Sequence, residues 1–90
     1  MKGDRFPLGT VFVTRGANDT LTAEETMDAL CRHATGDWGS LDHDDQAAND
    51  RALADGSRLL SRYLARTGKA FWIITEADRS ATTVLLPEEY

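Results

Sequence analysis

Two short clusters in the chain carry side chains that could do chemistry. Cys31 and His33 could supply a nucleophile and a base, but residues two apart on a helix point to different faces, so they cannot pair by themselves. The second cluster offers ligand atoms for a metal and consists of Asp42, His43, Asp44 and Asp45. Consecutive helical residues are rotated by about 100°, and only one histidine is present, so we expect no metal site. The sequence predicts a protein without enzymatic activity, cofactor or metal, since no Ser-His-Asp set or phosphate loop stands out either.

The first cluster belongs to a predicted helix. Thr22 and Glu25 have the spacing of a capping box, and the helix should end near Gly36, which can adopt a left-handed conformation. Spacings of three and four residues place four side chains on one apolar stripe: Met27, Leu30, Cys31 and Ala34. This pattern predicts that Cys31 is a small core residue and that His33 faces solvent.

The second cluster begins another predicted helix, over residues 43–55. Asp42 or Ser40 can cap it, Gly56 ends it, and acids in its first turn suit the positive end of the helix dipole. Its apolar face is mostly alanine, so we expect this helix to be held less firmly than the first. Capping and dipole effects explain its acidic start without a metal.

Runs of β-branched and aromatic residues predict the strands. Residues 8–14, 70–76 and 81–86 have this composition, and residues 15–19 and 77–80 read as turns. Residues 58–64 fit either a strand or a continued helix, and we favour the strand because Gly56-Ser57 precedes it and Thr67-Gly68 follows. The order β-α-α-β-β-β predicts one α+β domain over residues 1–90, with an antiparallel sheet of three to four strands and two helices on one face.

The two tryptophans have different expected roles. Trp72 alternates with Phe71 in a strand and should be a core residue. Trp38 lies between two glycines, where it could plug the edge of the sheet or stand exposed as an interface anchor. Both interpretations of Trp38 stay open at this point.

Composition bounds the class of protein. Of the 90 residues, 41% are hydrophobic and 28% charged, which is typical of a globular domain. No apolar stretch has the length of a signal peptide core or a membrane span. A secreted domain this small would usually carry several disulfides, so the single Cys31 predicts a cytoplasmic protein.

The net charge of −5 is unevenly distributed. Residues 19–55 hold ten acids against two arginines, a net of −8, whereas the flanking segments are slightly positive. This acidic segment could simply keep the protein soluble, or it could meet a basic partner. Direct binding to DNA or RNA is disfavoured because phosphates would be repelled by that half.

The second half of the chain resembles a known group of bacterial proteins. The resemblance rests on GDWG at 36–39, Asn49, Ala52-Leu53, Gly56, RLLSRY at 58–63 and WIITEADRSATTVLLPEEY at 72–90. These segments resemble a family of small proteins found in plasmid, phage and other mobile-element settings, often labelled plasmid-related. Some members carry the label type I restriction endonuclease subunit M, which would need a nucleotide-binding domain that 90 residues cannot hold. The family has no established activity, so the resemblance implies only a setting in mobile DNA.

Charge and setting together suggest a non-catalytic interaction protein of a mobile element. It would inhibit a host defence, as an anti-CRISPR or anti-restriction factor, by presenting carboxylates that mimic nucleic-acid phosphates to a basic protein surface. The candidate partner-binding residues are Asp37, Trp38, Asp42, Asp44, Asp45 and Asp50. The alternative is a small accessory or regulatory protein that forms a homodimer through an apolar patch around Trp38 and the sheet edge.

Overall fold

The computed structural model describes residues 3–90 and has the predicted α+β class. Its elements in chain order are β1 (Thr10–Val13), α1 (Arg15–Thr20), α2 (Ala23–Ala34), α3 (His43–Asp55), β2 (Leu59–Leu64), β3 (Ala70–Thr75), β4 (Ala81–Leu85) and a 3-10 turn, Pro87–Glu89. Among residues 3–90, no helix is both long enough and apolar enough to cross a bilayer.

The four strands form one mixed sheet in the order β1-β4-β3-β2. Strands β2, β3 and β4 make the predicted antiparallel meander, and residues 59–64 form a strand, as favoured over a helix. The first strand joins this sheet as expected but runs parallel to β4, with Thr10 beside Ala81 and Val13 beside Val84. The sheet is therefore mixed rather than wholly antiparallel.

One expected turn is a helix. Residues 15–19 contain glycine, asparagine and aspartate, which favour turns, yet Arg15–Thr20 forms α1. The Thr14 hydroxyl caps the helix by accepting from the Ala17 amide, and the Glu89 carboxylate accepts from the Gly16 amide. These contacts, one of them from the far end of the described chain, outweigh the weak local propensity.

The predicted caps of α2 and α3 are confirmed. Thr22 and Glu25 form the reciprocal capping box of α2. Asp42 caps α3 by accepting the Asp45 amide, and Gly56 ends it in the left-handed conformation at φ 80°. Arg79, itself at φ 61°, donates to the Ala52 and Ser57 carbonyls and so ties the β3–β4 turn to the end of α3.

Strand register assigns the two faces of the sheet. Thr82 and Val84 of β4 lie beside Thr75 and Ile73 of β3, and all four are buried beneath α2. We call this side the α2 face, and Val11 and Val13 belong to it because they pair with Thr82 and Val84. The larger core lies here and consists of Ala17, Leu21, Ala29, Leu30, Tyr63, Ala65, Phe71, Ile73, Val84 and Leu86.

Helix α3 lies against β2 rather than over the centre of the sheet. It contributes Ala52 to a smaller core with Phe6, Trp38 and Leu59. On the opposite face of the sheet Trp72 is half-buried, with the Tyr90 ring 5.6 Å from its own, while Phe71 is fully buried. The predicted core position of Trp72 is thus only partly realised.

Candidate interaction surface

Strand β1 is an open edge of the sheet. The Thr10 amide donates to Ser80 and the Thr14 amide donates to Val84, each at 3.0 Å. Alternate residues of a strand point the same way, so the amides and carbonyls of Val11 and Val13 point away from β4, to the outside of the sheet. The side chains of this strand are also exposed to solvent: Val11 is 40% exposed, Phe12 53% and Val13 39%. We call Thr10–Val13, with these outward groups, the β1 edge.

The other edge of the sheet is closed at Leu60 and Arg62, two of the three β2 residues whose backbone groups point outward, the third being Leu64. The side-chain amide of Asn49 bonds both the N–H and the C=O of Leu60 in β2. The next outward pair, on Arg62, is occupied by the Trp38 carbonyl and the Ser40 amide at 3.2 and 2.7 Å. Natural sheets usually protect their edges in such ways, so the unprotected β1 edge stands out against its counterpart.

A shallow apolar groove of about 260 Å³ adjoins the β1 edge on the α2 face. Asp4 lies at its margin, and the remaining lining is Leu8, Val11, Met27, Leu30, Cys31 and Ala34. Met27 is 63% exposed, although a side chain of this size and polarity usually lies inside. We call this the α2 groove, and it extends the β1 edge into a larger apolar surface.

Two of the four residues in the predicted apolar stripe of α2 are buried and two are exposed. Leu30 and Ala34 are buried as expected, but Met27 and Cys31 are exposed. The buried side of the helix instead runs through Ala29 and His33. The prediction that Cys31 is a core residue and that His33 faces solvent was wrong, and the two exchange places.

The reason for the exchange is a row of hydroxyls on the sheet. The Thr82 hydroxyl donates to the Leu8 carbonyl, so with its only proton used it must accept from Thr75, 2.7 Å away. Thr75 then accepts from His33 Nε2 at 2.9 Å, which leaves His33 Nδ1 to accept from Ser61. His33 is thus a fully satisfied neutral imidazole with its proton on Nε2.

Burial, with a smaller contribution from the Arg79 charge, lowers the pKa of His33 to about 4. His33 is 0% exposed, so it is closed to substrates. Cys31 points into the α2 groove instead, and these two residues do not meet as nucleophile and base. Hydroxyls at inward positions of otherwise apolar strands were the sequence signal that a polar group would be buried against them.

Of the six predicted partner-binding residues, four have partners within the protein. Asp37 accepts from Arg32 and from the Gly39 amide, and the Arg32 hydrogen bond lowers the pKa of the Asp37 carboxyl. Asp42 is a helix cap. Trp38 is only 4% exposed and donates its indole N–H to Asp50 at 3.0 Å, so it plugs the β2 edge rather than anchoring an interface.

The other two, Asp44 and Asp45, are exposed on the first turn of α3. Helical spacing places Asp44 and Asp55 on one side of α3 but Asp45 and Asp50 on two others, so the carboxylates of α3 do not all share one face. However, Asp37 is the only acid of residues 19–55 in an ion pair within the described structure. The acidic segment is therefore largely uncompensated but spread around its helix.

No group of three or more histidine, cysteine, aspartate or glutamate side chains in residues 3–90 is arranged to hold a metal ion. Asp42, His43, Asp44 and Asp45 thus do not form a metal centre in the described structure. A scan of protein-family models, a search of curated proteins and a search of solved structures each found no match to this chain.

Proposed function

We propose that this chain is a non-catalytic interaction protein that binds by adding an extended segment of its partner to the β1 edge. One observation carries the proposal: the backbone groups of Val11 and Val13 point outward and have no partner among residues 3–90, while those of Leu60 and Arg62 at the other edge are bonded. Strand addition uses such groups for affinity and alternate side chains for specificity. The single free Cys31 suits a protein that acts in the cytoplasm, where thiols stay reduced.

The side chains around the edge favour the same mode of binding. An added strand would cover Phe12 and Val13, and its own alternate side chains would enter the α2 groove beside Val11. Burying an aromatic or branched side chain contributes roughly 1.5–3 kcal/mol. This gain is available at the β1 edge without disturbing the core.

A peptide copying residues 8–15, LGTVFVTR, is a direct probe of the edge. We expect it to slow hydrogen exchange at the Val11 and Val13 amides and to leave Leu64, at the far edge, unchanged. Val11→Pro removes one outward donor without removing a bond to β4, so it should weaken peptide binding while the fold persists. Fast and equal exchange at Val11 and Val13 with and without peptide, at a concentration where the chain is monomeric, would contradict the proposal.

The uncompensated charge favours a second candidate function, binding of a basic protein surface by the acidic segment. In this version the chain inhibits a host defence, such as CRISPR or restriction, in the mobile-element setting that the resemblance implies. The carboxylates to test are Asp44 and Asp45, because neither caps a helix nor bonds to Trp38. They can be changed with the least damage to the fold.

The test is capture of a partner from host lysate at low and high salt. Electrostatic capture should fall steeply with salt, since exposed charges are screened within about 10 Å at 0.1 M. The Asp44→Lys/Asp45→Lys double variant should lose the partner, and Glu76→Lys, at an exposed acid outside the acidic segment, is the control. Capture that withstands both salt and the double variant would remove this candidate.

A further inference from the structure

We propose that the occupant of the β1 edge is a second copy of this chain, paired antiparallel through β1 with Phe12 on the two-fold axis. The inference rests on the proposed strand addition and names its partner. It joins two four-stranded sheets into one sheet of eight strands and places the two α2 helices on the same side of it.

The outward backbone groups dictate the register. In an antiparallel pair, two residues that both point at the partner strand exchange N–H and C=O bonds. Val11 and Val13 are the outward residues. Val11 opposite Val11 would bond only one of the two residues, whereas both are bonded at once when Val11 faces Val13 of the second copy, and the reverse. Phe12 then lies opposite Phe12 of the second copy in the non-bonded position, where Cα atoms approach to about 4.5 Å.

This register matches the pattern of exposure. Phe12 is the most exposed hydrophobic residue of β1, at 53%, and the axis would bury it against its own copy. A cross-strand aromatic pair stabilises by roughly 0.2–1 kcal/mol. On the α2 face, Val13 of the second copy would lie beside Val11, at the mouth of the α2 groove near Met27.

Charge favours an identical partner at this place. Each copy carries −5, but residues 6–14 contain no charged side chain, so the strands meet without like charges between them. The antiparallel arrangement brings the Arg15 end of each strand to the partner's end, where Asp4 lies at the groove.

The strand pair needs the α2 groove to reach the size of a specific interface. Stable interfaces bury roughly 1,200–2,000 Å² in total, more than two four-residue strands provide. The α2 groove, with Met27 63% exposed, supplies further apolar surface continuous with the strand. A two-fold pair uses both grooves at once.

Sedimentation of the full chain tests the assembly. We expect the mass to rise with concentration from 9.9 kDa to twice that value and no further, because pairing uses up the open edge. Phe12→Lys places like charges on the axis and should raise the dimer dissociation constant by about tenfold or more. Leu64→Lys, at an exposed apolar position of β2, is the control and should dimerise normally.

Cysteine cross-linking tests the register. In a Cys31→Ser background, Phe12→Cys should form a disulfide dimer under mild oxidation, since disulfides need Cα atoms within about 7 Å. Thr10→Cys should not, because two copies of residue 10 would lie four residues apart, about 13 Å. Equal cross-linking of both variants, or none at Phe12→Cys, would overturn the inference.

The two proposals fail in different ways. A chain that stays monomeric at every concentration, while the LGTVFVTR peptide still protects Val11 and Val13, would remove the second copy and keep strand addition. A chain in which neither dimer nor peptide protects those amides would remove both.

Discussion

The side chain of Asn49 bonds the backbone of Leu60 in the way that a neighbouring strand would. Its side-chain carbonyl accepts the Leu60 N–H at 3.2 Å, and its side-chain N–H donates to the Leu60 carbonyl. A single side chain thus satisfies both backbone groups of an edge residue, although Asn49 lies in the middle of α3. The helix is held to β2 by this bond pair as well as by its few apolar contacts.

Removal of the Asn49 amide should loosen α3. We expect Asn49→Ala to lower the free energy of unfolding by about 1–3 kcal/mol, because two part-buried backbone groups lose their partners. Gln46→Ala, which removes one exposed bond to the Leu41 carbonyl, should cost less than about 1 kcal/mol. Urea unfolding of both variants makes the comparison, and equal losses would show that the Leu60 bonds add nothing.

A methyl group at Gly39 should disrupt the closed β2 edge. At φ 76°, its Cβ would collide with the Arg62 carbonyl and lie 2.7 Å from the Tyr63 ring. We expect Gly39→Ala to destabilise the protein by about 3 kcal/mol or more. Gly68→Ala has a similar φ of 89° but open space around it, so it should cost only about 1 kcal/mol. Thermal melts of the two variants separate collision from backbone strain.

Acidification should destabilise the fold through His33. Burial holds its folded pKa at about 4, below the ordinary 6.5, so between these values the unfolded chain binds more protons. Stability is therefore full above pH 6.5 and falls by roughly 3 kcal/mol towards pH 4. The check is to measure the free energy of unfolding between pH 4 and 6.5 for the wild type, for His33→Gln and for the exposed control His43→Gln. A wild-type slope that persists in His33→Gln would assign the effect to other groups.

The Trp38–Asp50 bond should be measurable without loss of the aromatic cluster. Trp38→Phe keeps the packing against Phe6 and His33 but removes the indole donor, so we expect a loss of about 1–2 kcal/mol. Asp50→Asn keeps an acceptor and should cost less than Asp50→Ala. Chemical denaturation of the three variants tests this order. If Asp50→Asn equals Asp50→Ala, charge rather than the bond is responsible.

Local patterns were sufficient for most elements of the fold. Runs of β-branched and aromatic residues located β1, β3 and β4, and the turn residues on either side located β2. The Thr22–Glu25 and Asp42–Gly56 signals located α2 and α3. These features depend on neighbours in the chain, and for that reason sequence spacing reveals them. Helix α1 was missed because its stability depends on Glu89, a partner more than seventy residues away.

The candidate surface depended on long-range pairing that no local pattern contains. The residues of β1 were visible as a strand, but only its parallel pairing with β4 decides that Val11 and Val13 point outward. The rotation of α2 was likewise decided by Ser61 and Thr75, which give His33 a better environment than Cys31 would have there. The proposed acidic residues were chosen by charge. The role of Asp42 as a cap was predicted, but the bonds of Asp37 to Arg32 and of Asp50 to Trp38 join separate segments and could not be foreseen.

The parallel pairing of the first and last strands also bears on how the protein is made. Thr10 leaves the ribosome 71 residues before its neighbour Ala81, a delay of roughly 4–14 s at 5–20 residues per second. Strands β2, β3 and β4 are close in sequence and can pair as soon as they are made. Strand β1 has no paired strand on either side until β4 has been made. Nascent chains translated side by side could therefore pair through this strand before either sheet is finished, which makes translation the step most exposed to premature association.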